Sequence, residues 1–297
     1  MLTTRHRRVP IPARVQINLR ATRASTGPDG SPDTLRYGED MADELDCTGK
    51  VVLVTGGTKG LGKGICSAFA SRNATVITCG RNAPEPDALD KTIDFLRCDV
   101  RDAESVGVLI DQISERYGRI DVVVNNAGGS PHVMVAGSSP KFHQSIINLN
   151  LVAPLLVGMR ANDVMQTQDT GGVIINVSSV AASRPSPGTA AYSAAKAGLE
   201  SLTRSLAAEW APKVRVNCVV AGLIRTEQSH LHYGDEEGIA AVSTVVPLGR
   251  MANPADLANV FVFLASPLAS YVTGANVPVH GGGEIPAFLL MANVNRH

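Results

Sequence analysis

Net charge is the first thing this sequence lacks: 27 Lys and Arg side chains face 27 Asp and Glu over 297 residues. Such a balance gives no general attraction to nucleic acid or to an anionic membrane surface, so neither is expected as a partner. Cysteine offers little more. Cys47, Cys66, Cys79, Cys98 and Cys218 are odd in number and never spaced as CxxC, which argues against a disulfide framework and a zinc site and for reduced, structural thiols. His132, His143, His230, His232 and His280 form no HExxH or comparable spacing, so no metal is expected. No apolar run approaches the roughly 20 residues that span a bilayer, and no early apolar segment resembles a signal peptide. A composition of 44% hydrophobic and 18% charged residues suits one large globular domain, and the expectation is a cytoplasmic enzyme.

Residues 1–40 differ from the rest of the chain. Arg5, Arg7, Arg8, Arg14, Arg20 and Arg23 precede the first acidic residue, and STGPDGSPD is turn chemistry without an apolar face. We expect a disordered basic extension. An upstream start ahead of Met41, an arm that touches anions and an organelle transit peptide all fit that composition.

From residue 51, short β-branched runs alternate with stretches of 3.6-residue periodicity. The runs are VVLVT, ATVITC, IDFLRC, IDVVVNN, GVIINVSS and VRVNCVV, and GANVPVH, after the helical ADLANVFVFLAS, adds a seventh. Apolar strands separated by helices predict a parallel sheet covered on both faces, a doubly wound (Rossmann) α/β fold. VVLVT leads into GGTKGLG and then into a helix whose apolar face holds Leu61, Ile65, Ala68 and Phe69. A glycine-rich turn in that place lets the backbone approach a pyrophosphate at a helix N-terminus. Gly56, Gly60 and Gly62 are spaced GxxxGxG rather than GxGxxG, so the general dinucleotide fingerprint is met only approximately.

The stretch AAYSAAKAGL, 190–199, sets Tyr192 and Lys196 one helical turn apart on one face. A phenol that titrates near pH 10 is a poor base until its anion is stabilised, and a cation one turn away is expected to do that. Ser179 ends an apolar strand at the carboxyl edge, where open α/β sheets bind ligands, and a hydroxyl there can hydrogen-bond a substrate oxygen. Ser178 is its adjacent rival, and alternation along the strand sends only one of the two hydroxyls toward the pocket.

Taken together, the loop from Thr55 to Gly62, NNAG at 125–128, Ser179 and the YxxxK pair resemble a classical short-chain dehydrogenase/reductase over about residues 45–286, with 287–297 as a tail. The resemblance implies an oxidoreductase that interconverts a secondary alcohol and a ketone with a nicotinamide dinucleotide. It also implies a small-molecule substrate and a homotetramer or homodimer. By resemblance Tyr192 is the acid/base, Lys196 its activator and a ribose ligand, and Ser179, thirteen residues before Tyr192, the oxygen-binding group. Asn150 would support a proton relay, with Asn148 as its rival. The implied cofactor contacts are Gly56, Thr58, Lys59, Gly60, Leu61 and Gly62 in the loop, then Arg81, Asp99 and Val100 around the adenosine. Asn126, Ala127 and Gly128 follow the fourth strand, and Tyr192, Lys196, Ile224 and Thr226 lie toward the nicotinamide. A family member acting on a C=C bond, an epimerase and a non-catalytic dinucleotide sensor are the alternatives, against which the complete set of four side chains speaks.

Cofactor choice has its own signal. NAD-selecting sites carry an acid after the second strand, which would repel a 2′-phosphate. Here VITCGRN has Gly80 in that place, Arg81 follows it, and Lys59 sits in the glycine loop, so NADP(H) is expected, with NAD(H) admitted. The chain departs from the family pattern twice, with Ala221-Gly222 for the usual PG and His280 for the usual aspartate before the final glycines. Residues 225–250 fall where the family places a variable lid, so no motif names the substrate.

Overall fold

The computed structural model describes residues 44–85 and 88–292; the expectation for residues 1–40 and that for the last five tail residues lie outside the described residues. Seven strands form one parallel sheet: β1 (Val51–Thr55), β2 (Thr75–Gly80), β3 (Ile93–Arg97), β4 (Val122–Asn125), β5 (Gly172–Ser179), β6 (Val214–Ala221) and β7 (Asn276–Val279). Their spatial order is β3-β2-β1-β4-β5-β6-β7. The chain therefore leaves β1 in one direction for β2 and β3 and returns on the other side as β4. At that switch point the carboxyl ends of β1 and β4 diverge and leave a crevice.

The strands read as unbroken apolar runs because both faces are covered. Along β1, Val52 and Val54 enter one layer with Ile65 and Phe69 of α1 (Gly60–Ala70) and Phe261 of α8 (Pro254–Ala265). Leu53 enters the other with Ile77, with Leu109 and Ile113 of α2 (Ala103–Tyr117) and with Val157 of α4 (Ala153–Thr167). Alternation of side chains across the sheet divides them in this way. Phe69 and Phe261 are fully buried, each contributing about 2–3 kcal/mol from burial.

Helix ends follow local chemistry. The Asp102 carboxylate accepts from the Glu104 N–H at the start of α2, and Gly118, at φ 74°, takes the left-handed turn that ends it. In α8, Asn253 and Asp256 cap each other's backbone ahead of Pro254.

One expectation needs correction. The sequence shows no apolar run of spanning length, yet α3 (Pro140–Ile147), a π turn (Asn148–Val152) and α4 continue as one helix, Pro140–Thr167, that is long and apolar enough to cross a bilayer by length and composition. The run is masked in the sequence because Asn148, Asn150 and Arg160 interrupt it. In the fold its inner face packs on the sheet through Val157, Ala161 and Met165. After α4 come α5 (Ala190–Trp210), the short α6 (His230–Tyr233) and α7 (Glu236–Ser243), and finally α9 (Ala287–Met291), so part of the expected tail is helical.

The two departures from the family pattern lie against each other. Gly222 donates to the Val279 carbonyl, and a Cβ at Gly222 would stand 2.6 Å from the His280 Cα. A bulkier residue after Ala221 would have no room beside His280.

Candidate active site

The crevice at the switch point is a cavity of roughly 420 Å³. Gly56, Thr58, Lys59, Gly60, Leu61 and Gly62 line one wall; Arg81, Asp99 and Val100 line the end beyond β2 and β3; Asn126, Ala127 and Gly128 line the wall below β4; Thr226 closes it from the loop after β6. Those residues were all expected there. Ile224, also expected, forms a bridge with Ala252, packs on the core and does not line the cavity. Tyr192 and Lys196 also do not line it; they stand one turn apart on α5.

The glycine loop is built for close approach. Gly56 and Gly60 hold φ of 68° and 56°, the left-handed region that favours glycine. A Cβ at Gly62 would stand 2.4 Å from both Asn126 Nδ2 and the Gly56 carbonyl, so only hydrogen lets the first turn of α1 meet the end of β4. Thr55 Oγ1 takes the N–H groups of Asn126 and Ala127, and Asn126 Nδ2 donates to the Thr55 and Gly56 carbonyls. These bonds tie the loop to NNAG. Backbone N–H groups at a helix start, a pocket walled by glycine and cations at its far end fit a dinucleotide with its pyrophosphate over α1.

Sequence reasoning missed Arg101. Its guanidinium binds Asp99 at 2.6 and 2.9 Å and holds that carboxyl below its ordinary range. The signal was a basic residue two positions past the aspartate. Asp99 lines the end of the cavity beyond β2 and β3 with its carboxylate already engaged, and Arg101 adds a third cation beside Lys59 and Arg81 on the cavity wall.

Ser179 and Ser178 separate as alternation requires. Ser178 is buried, and its hydroxyl donates to Glu200 Oε1 at 2.7 Å. Ser179 is half-buried, its hydroxyl accepts from the Ala181 N–H at 3.2 Å, and it lies close enough to the Tyr192 phenol to influence its titration. Burial raises the phenol above its ordinary value, the Ser179 hydrogen bond opposes that rise, and the neighbouring Tyr233 phenol adds to it.

The expectation that Lys196 draws the phenol down is not what sets its titration. Lys196 Nζ lies 5.5 Å from the centroid of the Tyr192 ring, over its face, and donates to the Val177 carbonyl at 2.7 Å. Burial is the larger influence on both groups: Lys196 is 3% exposed, and desolvation pushes its ammonium down to about 8.

Asn150, not Asn148, faces the centre. Widening of the helix at 148–152 lets the fully buried Asn150 donate through Nδ2 to the Ile146 and Gly129 carbonyls, while Oδ1 accepts from the Gly129 N–H. Single π turns of this kind recur at functional sites. Asn148 instead accepts from Gln144 on the helix surface. Gly128 stands between the groups: a Cβ there would come within 2.7 Å of Asn150 Oδ1 and 3.3 Å of Lys196 Nζ.

Comparison with known proteins shows the family. The profile of the family described as Enoyl-(Acyl carrier protein) reductase matches residues 56–284. The chain is similar to a 3alpha-hydroxysteroid dehydrogenase of Mediterraneibacter gnavus, 35% identical over 79% of this chain and 97% of that one. It is equally similar to a 3-oxoacyl-[acyl-carrier-protein] reductase of Vibrio harveyi, 35% identical over 80% and 98%. Among solved structures, the aldohexose dehydrogenase of Thermoplasma acidophilum superposes with a TM-score of 0.75 at 30% identity, covering 85% of this chain and 98% of that one. A cavity walled by the glycine loop, a serine at the end of β5 and a tyrosine and lysine one turn apart thus occur in a chain that belongs to the classical short-chain dehydrogenase/reductase family, an oxidoreductase using a nicotinamide-type dinucleotide.

Proposed function

We propose that the enzyme interconverts a secondary alcohol and a ketone with NADP(H). The observation that carries this reading is the convergence of Ser179, Tyr192, Lys196 and Asn150 beside the dinucleotide crevice. Bound cofactor supplies or accepts the hydride; the chain's own groups handle the proton and the oxygen. Tyr192, raised by burial, is protonated at neutral pH and donates to the substrate oxygen in the reducing direction. Ser179 hydrogen-bonds the same oxygen and stabilises charge growing there. Lys196 would hold the ribose hydroxyls of the bound cofactor with the donors that Val177 leaves free, and Asn150 fixes the backbone at Gly129.

Similar proteins point to alcohol and carbonyl chemistry on molecules of differing size: a hydroxysteroid, a 3-oxoacyl thioester and a D-threitol. The profile's own description favours one rival, reduction of a C=C bond. A serine hydroxyl and a tyrosine phenol side by side, able to bind one oxygen and give it a proton, favour the carbonyl. A purified sample should consume NADPH with a set of steroid, sugar and acyl-thioester ketones and leave the C=C bond of the matching enones intact. Turnover of enones alone would refute the assignment. The same reading places two or four copies together through the outer faces of α4 and α5, with 1–40 as an extension apart from the chemistry.

A further inference from the structure

The N–H groups that open α1 have no cap of their own. Lys59, at the N-cap, makes no side-chain bond to them, and the first turn carries no acidic residue. The Gly60 N–H is nevertheless satisfied, from 167 residues away, by Glu227 Oε1 at 2.8 Å. Glu227 belongs to the loop after β6, and its neighbours Thr226 and Gln228 both line the dinucleotide cavity. Thr226 Cγ2 stands only 3.7 Å from where a Gly60 Cβ would be, so the loop lies directly on the glycine turn.

An anion is therefore already seated at the helix end that suits phosphate. A carboxylate there gains from the helix dipole as a phosphate oxygen does, and the two anions cannot share one N–H. The same loop is tied onward to the lid. Arg225 pairs with Glu236 of α7 at 2.6 Å, and the His230 ring of α6 meets the Glu227 carbonyl at 3.1 Å.

We infer that Glu227 sets cofactor affinity by competing with the pyrophosphate for the Gly60 N–H, and that dinucleotide binding exchanges this contact. The inference rests on the family's dinucleotide site. Within that site it assigns to an exposed acid an effect opposite to that of a binding residue: its removal tightens the complex. The free Gly60 N–H then meets water, and the fold loses one exposed bond.

ADP and adenosine are the probes, because they share base and ribose and differ in the pyrophosphate. Their dissociation constants are measured by calorimetry with the full chain and with Glu227→Gln and Glu227→Ala. ADP should bind both variants about threefold tighter or more, as expected for removing a charge that gains from a helix N-terminus, with adenosine unchanged. Unchanged or weaker ADP binding in the variants overturns the competition, as does equal tightening of adenosine, which would mark a general loosening. Absence of ADP binding by parent and variants alike overturns the dinucleotide site as well, a result distinct from the others.

Discussion

Asn150 holds Gly129 by both of its backbone groups, accepting from the N–H and donating to the carbonyl, each at 2.9 Å. Its Nδ2 also takes the Ile146 carbonyl left by the π turn. The side chain thus fixes the segment after NNAG against the helix from inside. Asn150→Ala takes the partner from the buried Ile146 carbonyl and releases the exposed Gly129, and should destabilise the fold by about 1–3 kcal/mol, read from urea unfolding. A loss below about 0.5 kcal/mol would mean that the backbone repairs itself.

Lys196 carries a stability penalty set by its burial. Burial holds its folded value at about 8 against an ordinary 10.5. Between those values the unfolded chain binds more protons than the folded one, so stability rises with pH across that window, and the penalty is complete below it. Lys196→Met should therefore raise stability near pH 7 by about 1–2 kcal/mol, after allowance for the lost bond to Val177, and the gain should shrink toward pH 10. Activity should vanish in the same variant. Urea melts at the two pH values check the sign.

Tyr192→Phe removes one oxygen from a half-buried ring and little else. Turnover should fall by about a thousandfold or more, the range of a lost general acid, while cofactor affinity stays within about twofold. In the parent enzyme the raised phenol keeps ketone reduction level through neutral pH, and alcohol oxidation should climb as pH rises and the anion becomes available. Parallel pH profiles for the two directions would remove Tyr192 from the proton transfer.

What the sequence made legible comes from periodicity. VVLVT alternates between two covered faces, so the sheet could be read from apolar runs; Ser178 and Ser179 differ by one position in a strand, so one had to face the cavity and the other α5. The unread parts depend on contacts across long separations. Nothing local shows that the Ile146 carbonyl needs Asn150, that Val177 receives the Lys196 ammonium, or that Glu227 reaches Gly60. The engagement of Asp99 by Arg101 is local, two residues apart, and is easily overlooked because basic residues near an aspartate are common on surfaces.

Oligomerisation is tested through α5. Ala194 and Ala197 are exposed on this 21-residue helix, and Met159 on the neighbouring α4 is 49% exposed. Small residues allow two helices to approach, and an isologous contact between copies fits a dimer or tetramer. Light scattering should give the mass of a tetramer, and Ala197→Arg should lower it. A monomer in the parent chain, at concentrations where it is active, would exclude this arrangement.

Cofactor choice turns on which cations are free to meet a 2′-phosphate. Arg101 is committed to Asp99 through two bonds, whereas Arg81 and Lys59 are exposed on the cavity wall, and the place after β2 where an acid would exclude phosphate is Gly80. A phosphate with roughly two negative charges gains from both, though each exposed contact is worth only about 1 kcal/mol in water. Two such contacts predict NADPH over NADH by more than about tenfold in kcat/KM. Arg81→Ala combined with Lys59→Ala should bring the two cofactors together by lowering NADPH alone, while Arg101→Ala, which frees the Asp99 carboxylate near the same phosphate, should weaken NADPH more than NADH. Equal efficiencies in the parent enzyme would mean that Gly80 merely removes a barrier and that neither cation selects.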